Sequence, residues 1–488
     1  MLRVLHIADM FENAARVAPD AVAATLGDDA LTFGALDERA RRVANGLAEL
    51  AIGRGDRVLW WGDTSLEAVV VFSALAKLGA VFAPLNARSS IEEVAPVAEY
   101  ARASLLLGGA SHVDAAAELA RRVDLSFTPV LPDGDAGPVD RHELDERDPH
   151  VIFFTSGSTG RPKGVVLSHR ANWLRTFVGA TTSPGGAGTV CMFPLFHMAG
   201  WTIAMGAWQG RRAVHFVRTP DADTLVRTVA RHRAGRLYCI PAVWARVLEH
   251  PGVNKDLATL TEADTGTSAT PPELLRAIKD ALPHTVTRVF YGSTEAGPGV
   301  QLPDTDLFRK PGSVGLPQPS VAVRLTDEGE VCMRSPFLMD GYFDDDEATR
   351  DVLRDGWYHT GDLGALDDEG YLSIVGRARD VIRSGGETIA PVEVEQVLAA
   401  HPAIAEVAVV GVPDAQWGEL VCAVVVVRPG GMPPDLASMR AYCAERLAPF
   451  KHPRRVAVVD ALPRTAATGQ VQRTLIVERL LAEPGGPE

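Results

Sequence analysis

The residues with the most chemical content lie in one run, Thr155-Ser156-Gly157-Ser158-Thr159-Gly160-Arg161-Pro162-Lys163-Gly164, directly after the apolar stretch Val151 to Phe154. Its hydroxyls and glycines supply side-chain O–H and exposed backbone N–H donors. Lys163 adds a cation, and together these groups suit a polyphosphate. The G-x-x-x-x-G-K-[ST] spacing of a Walker A loop is absent. A Ser/Gly linker is the plainer alternative, but linkers seldom follow a buried strand or end in Pro-Lys-Gly, so phosphate binding is the expectation.

Five further segments follow in order: Pro194-Leu195-Phe196-His197-Met198-Ala199-Gly200, Tyr291-Gly292-Ser293-Thr294-Glu295, Tyr358-His359-Thr360-Gly361-Asp362-Leu363-Gly364, Gly376-Arg377-Ala378-Arg379-Asp380 and Ser384-Gly385-Gly386-Glu387. Singly, each has an ordinary reading: a packed histidine, a helix cap made by Thr294 and Glu295, a glycine turn. In this order and spacing, from about Phe33 to Arg473, they resemble the adenylate-forming superfamily of acyl-CoA synthetases, peptide-synthetase adenylation domains and luciferases. The acyl-CoA synthetase branch is the nearest match.

That resemblance implies roles. Thr155, Ser156, Gly157, Ser158, Thr159, Gly160 and Lys163 would bind nucleotide phosphate, Gly292 would belong to the nucleotide site, and Tyr291 would lie on the adenine, Thr294 at the α-phosphate, and Asp362 and Arg377 on the ribose. Glu295 would hold Mg²⁺ when ATP is used, as a hard cation wants carboxylate oxygen. His197 would lie beside the carboxylate and the thiol channel, and Trp201, Gly266 and Thr267 would line the acyl pocket. Ser384, Gly385, Gly386 and Glu387 would shape a tunnel for the pantetheine arm of CoA once a small domain has turned about Asp380.

Two departures from the family pattern stand out. At Gly266-Thr267-Ser268-Ala269-Thr270-Pro271, where relatives carry a Gly-Gly-Ala-Pro type of turn, Thr267 and Ser268 add bulk. Near the C-terminus the family's P-R-T-x-x-G-K loop brings a lysine between the substrate carboxylate and the α-phosphate. Here Pro463-Arg464-Thr465-Ala466-Ala467-Thr468-Gly469-Gln470 places Gln470 at that position, with one alanine extra and no lysine after Lys451. Carboxylate and triphosphate are both anions, so their encounter needs cationic stabilisation that an amide cannot give. Losing one such donor costs about 10²–10³ in rate. Attack of a thiol on a ready-made acyl-AMP has no such requirement. The expectation is therefore a ligase that converts acyl-AMP plus CoA into acyl-CoA plus AMP, supplied with acyl-AMP by a separate adenylating enzyme. A complete ATP-dependent ligase (with Arg464 or Arg473 replacing the lysine after a register shift), a non-catalytic acyl-AMP or nucleotide sensor, and loading onto a carrier-protein thiol stay open. The acid itself is not legible beyond an aryl, alicyclic or medium acyl group.

These residues need a scaffold. Leu36, Ala40, Val43, Leu47 and Leu50 form one apolar helix face, and Arg57 to Trp61 reads as a strand. A helix from Ser65 to Leu78 and a strand from Val81 to Leu85 continue a βαβ pattern that resumes between Ala171 and Leu302. The reading is α/β: a large N-terminal domain, residues 1–379, of two related α/β sheet units plus a strand-rich segment, and a small mobile α+β domain, residues 380–488, with its hinge at Asp380. The acidic run Asp344 to Glu347 reads as a solvated loop. A net charge of −14 over 488 residues excludes a nucleic-acid partner, which draws affinity from clustered cations. Five scattered cysteines without a C-x-x-C pair suggest a reducing compartment. With no leader-like apolar run in Met1 to Pro19 and no stretch fit to span a membrane, a cytoplasmic location is expected. Oligomeric state is unspecified.

Overall fold

The computed structural model describes residues 5–482 apart from 142, 157–161, 183–186, 386, 415 and 466–469. The chain divides into two compact units, Met1–Ala322 with Met333–Tyr358, and Val323–Cys332 with His359–Glu488.

Local rules explain the helices of the larger unit. Ser65 accepts a hydrogen bond from the Ala68 N–H to start Leu66–Leu78, and Gly79 ends it at φ +74°. Asp221 caps Ala222–His232 in the same way. The expected face of Phe33–Glu49 buries Leu36, Ala40, Val43 and Leu47. Leu50 departs from it: it lies past the helix end and is exposed. The acidic run is likewise only half loop, since Asp345 caps the helix Asp346–Val352 and puts Asp346 and Glu347 in its first turn, where carboxylates meet unpaired N–H groups.

Two mixed sheets result. One has parallel strands Leu105–Gly108, Arg57–Trp61, Val81–Pro84 and Pro149–Ser156, with Pro162–Ser168 and then Gly341–Tyr342 added antiparallel. The other runs parallel through Val214–Phe216, Thr189–Cys191, Arg236–Tyr238, Glu262–Gly266 and Val289–Ser293. The early strand Val22–Leu26 joins this second sheet, pairing Ala24 with Val214. Sequence alternation alone assigns it to neither sheet, because the pairing is long-range. Between the elements lies a core of large rings: Trp201 stacks on Phe72 at 3.9 Å, and Phe11 packs on Trp208 at 5.3 Å. In the smaller unit, Ile404–Asp414 and Gly418–Val427 pair antiparallel as expected, with Arg455–Val458 alongside and the helix Pro391–Ala399 packed on the sheet.

Several buried polar groups tie the larger unit together. Lys77, with a wholly buried side chain, reaches Glu12 and Asp37 at 2.7 Å each. His150 and His169 are buried side by side, with ring centroids 4.7 Å apart. His150 Nδ1 accepts from Asn172, and His169 Nδ1 accepts from the Ile7 N–H.

Two outcomes follow. Lys77→Met leaves two carboxylates facing each other and costs about 2–3 kcal/mol, the usual penalty for a broken buried pair reduced by the carboxylates' partial exposure; denaturant melts measure it. Burial holds His150 well below its usual range and His169 at about 3. Because these folded-state values lie below the unfolded one, the stability they contribute is complete above about pH 6.5 and is lost as pH falls from there towards 3. At pH 5 the loss for His169 is about 2 kcal/mol. A His169→Gln variant, which keeps an acceptor for Ile7 but does not titrate, shows a smaller acid loss in melts at pH 5 and 7.5.

Candidate active site

The two ends of the expected phosphate run lie on a pair of antiparallel strands. Pro149–Ser156 pairs with Pro162–Ser168, setting Thr155 opposite Lys163. Gly157, Ser158, Thr159 and Gly160 lie outside the described residues. Lys163 lies over the Tyr342 ring at 4.7 Å, and the Tyr342 hydroxyl donates to Glu295 Oε1 at 3.1 Å. Burial and the Glu295 carboxylate raise the phenol above its usual range, so it stays a donor at neutral pH. Tyr342 therefore joins the phosphate hairpin to the Tyr291–Glu295 motif. Sequence reasoning passed it over; its only local signal is an aromatic residue behind a glycine.

Tyr291-Gly292-Ser293-Thr294-Glu295 is not a helix cap. It ends the strand Val289–Ser293 and turns into Gly297–Leu302, with Tyr291 opposite Val300. Gly292 is required here, since a Cβ would sit 2.0 Å from the Gly297 carbonyl oxygen. A second unanticipated residue, Arg175, is wholly buried in the helix His169–Thr182 and donates to the Thr294 carbonyl at 2.9 Å.

His197 caps the helix Met198–Gln209, its Nδ1 accepting from the Ala199 N–H at 3.1 Å. Its half-buried position, with little solvent to support a charge, pushes the imidazole down from 6.5 to about 4. It is therefore neutral at pH 7. With Nδ1 as acceptor, the ring proton sits on Nε2, which leaves a donor for a ligand. Trp201, expected beside the acyl group, is wholly buried against Phe72 and donates to the Leu195 carbonyl at 2.7 Å. A ring this large finds its partners in the core, and what it supports is the turn leading to His197.

A row of rings connects His197 to the Gly266 turn: Phe193 lies 6.5 Å from His197, Tyr238 5.4 Å from Phe193, and Phe290 5.9 Å from Tyr238. Gly266 fills the space left by this row, as a Cβ would lie 2.6 Å from the Tyr238 hydroxyl and 2.3 Å from the Phe290 carbonyl oxygen. Thr267 then adopts φ +67°, with its hydroxyl donating to the Gly266 carbonyl at 2.6 Å. A β-branched residue in that region carries strain of about 1–3 kcal/mol. Phe193, Tyr238, Gly266 and Tyr291 all lie at or just beyond the carboxyl ends of parallel strands, the edge where open α/β sheets bind ligands.

The smaller unit presents its own group. Asp362 and Arg377 are cross-strand partners, joined at 3.1 Å. The strand approaching Asp362 is held by Glu330, which accepts from His359 Nδ1 at 2.8 Å and from the Gly361 N–H at 2.9 Å, with Cys332 beside the imidazole at 3.4 Å. Ser384 and Glu387 pair across a tight hairpin, and Gly386 is outside the described residues. Gly385, at φ +60°, packs so closely on Trp417 that a Cβ would lie 2.7 Å from its ring, and Arg454 covers that ring at 3.7 Å.

Gln470 is exposed, and its backbone closes the loop reciprocally: its N–H donates to Thr465 Oγ1 at 3.1 Å and its carbonyl accepts from the Thr465 N–H at 2.8 Å. Arg464 pairs with Glu406. Arg473 donates to Glu395 at 2.7 Å and reaches Asp380 at 3.4 Å.

Comparison with known proteins agrees with this arrangement. The model of the AMP-binding enzyme family matches residues 11–343, and that of the AMP-binding enzyme C-terminal domain matches 393–468. Feruloyl-CoA synthase of Amycolatopsis sp is 34% identical over 94% of this chain and 97% of its own. The 2-succinylbenzoate–CoA ligase of Bacillus cereus is 30% identical over 94% and 95%. The structure of o-succinylbenzoate CoA synthetase from Bacillus subtilis, in complex with the acyl-adenylate intermediate OSB-AMP, superposes with a TM-score of 0.86 at 26% identity, covering 98% of this chain and 99% of that one. The chain belongs to the AMP-binding enzyme family, in the acyl-CoA ligase branch of the adenylate-forming superfamily.

Proposed function

We propose that this acyl-CoA ligase catalyses thioester formation from a supplied acyl-AMP and that its own ATP-dependent adenylation is impaired. The CoA sulfur attacks the acyl carbonyl, the C–S bond forms, the C–O bond to phosphate breaks, AMP leaves, and the thiol proton passes to solvent. In this step His197, carrying its proton on Nε2, donates to the acyl oxygen as charge develops there. It does not take the thiol proton through that nitrogen. Asp362 and Arg377 hold the ribose, Tyr291 and Gly292 the adenine, and the 384–387 hairpin the pantetheine arm after the 380–488 domain turns about Asp380.

The observation that carries this reading is Gln470 at the position of the lysine. The two arginines nearest in sequence are a poor substitute, because Arg464 is paired with Glu406 and Arg473 with Glu395 and Asp380. The acyl-AMP then comes from a separate adenylating enzyme. Relatives named for feruloyl and succinylbenzoate substrates favour an aryl acyl group over a small dicarboxylate.

One observation favours the rival, a complete ATP-dependent ligase: Lys163 and Glu295 are both present and joined through Tyr342. With its Oε1 oriented by that phenol, the Glu295 carboxylate fits a hard cation, and it is the residue that would hold Mg²⁺.

Acid-dependent exchange of labelled pyrophosphate into ATP separates the two readings. Gln470→Lys raises exchange by about 10²–10³ while the rate from supplied acyl-AMP and CoA changes little. Exchange by the unaltered protein as fast as by Gln470→Lys sinks the proposal. The pH profile gives an independent check. Normalised to the thiolate fraction of CoA, the rate stays level through pH 6.5 and bends only towards about 4, where His197 protonates. A break centred near 6.5 would remove His197 from the assigned role.

A further inference from the structure

Arg175 has no part in the chemistry so far. Its side chain is fully buried, yet it ends in a charged fork. One arm donates to the Thr294 carbonyl at 2.9 Å and the other to the Phe337 carbonyl at 2.8 Å. The first carbonyl belongs to the turn that carries Glu295, the second to a separate segment. That segment also meets the turn directly, the Met339 N–H donating to the Glu295 carbonyl at 2.8 Å. Gly297, at φ +70°, lets the chain close over the arginine: a Cβ there would touch the Phe337 ring at 3.2 Å and the Arg175 Cβ at 3.5 Å.

We propose that Arg175 is a positioning residue for nucleotide binding, clamping the Thr294–Glu295 turn to the Phe337 segment so that both side chains face the phosphate. The geometry calls for arginine in particular. A planar fork spans two carbonyls on separate segments, whereas an ammonium is a single point with a shorter reach. Charge also matters, since a charged donor holds a carbonyl more tightly than a neutral one. Burial lowers the guanidinium to about 10, against the opposing pull of Asp340 and Glu295, so it remains protonated at neutral pH. The Asp340 carboxylate is itself engaged by the Ser168 N–H at 2.6 Å, so the arginine is free to serve the turn. Nothing in the local sequence marks this residue, which sits mid-helix between Leu174 and Thr176.

This inference rests on the reading of Tyr291–Glu295 as nucleotide-binding, and the experiment keeps the two apart. AMP is titrated calorimetrically into the full-length protein and into Arg175→Lys and Arg175→Met, with the KM for acyl-AMP and for CoA measured for each. Both variants are expected to bind AMP about ten- to one-hundred-fold more weakly and to show a raised KM for acyl-AMP, with the KM for CoA unchanged. Should Arg175→Met fail to fold, Arg175→Lys, which keeps the buried charge and loses only the fork, decides alone. Wild-type AMP affinity in Arg175→Lys overturns the proposal, and so does an equal loss for acyl-AMP and CoA, which would mark a general structural role. Failure of the unaltered protein to bind AMP overturns instead the site assignment beneath it.

Discussion

The register of three neighbouring parallel strands is locked by buried charge. Arg288, just ahead of the strand Val289–Ser293, grips Asp264 with two hydrogen bonds of 2.8 Å and also reaches Glu262. Arg236 meets Asp264 from the other side at 2.8 Å. Asp264 and Glu262 are essentially free of solvent contact. Charges in such a place are tolerated only with near-ideal partners, and any slip of one strand would leave an unpaired ion in the core. The penalty for that slip exceeds anything packing could return. Everything at the opposite strand ends inherits this precision, because a parallel sheet delivers all its carboxyl termini to one edge.

What is delivered there is a set of close fits rather than a set of reactive groups. Tyr238 leaves no room for a side chain at Gly266, the Gly297 carbonyl leaves none at Gly292, Arg175 holds the Thr294 carbonyl just ahead of Glu295, and Tyr342 holds the Glu295 side chain. Thr267 is the exception, a β-branched residue kept in a conformation that favours glycine. Strain at that spot, next to the row of rings leading to His197, is what a pocket adapted to one kind of acyl group would retain. The division of charge is equally informative. Thioester formation asks for a neutral donor and an aligned anhydride, and the proposed role of His197 meets the first requirement, whereas joining two anions asks for an additional cation. In the smaller unit the arginines flanking Gln470 are occupied in holding that unit together.

Much of this was legible in the chain itself. The helix Ala222–His232 and the strand Arg57–Trp61 are where periodicity puts them, since short apolar repeats and a capping aspartate act locally. The family is also readable, because its motifs recur in a fixed order, and of the residues it singles out Asp362 and Arg377 do meet across two strands. Other features were hidden. Leu50 fits the helical period but falls beyond the point where the helix stops. Trp201 has the composition of a pocket residue and the environment of a core residue.

The sequence by itself determined the family, the order of the motifs and a C-terminal stretch with no lysine after Lys451, all of which are matters of residue type and spacing. The tertiary structure alone decided that Val22–Leu26 joins the second sheet, that Lys163 and Glu295 are bridged by Tyr342, and that a mid-helix arginine holds the Thr294 carbonyl. Those facts depend on contacts between residues tens to hundreds of positions apart in the chain, and a local pattern carries no record of which distant partner will satisfy a buried donor.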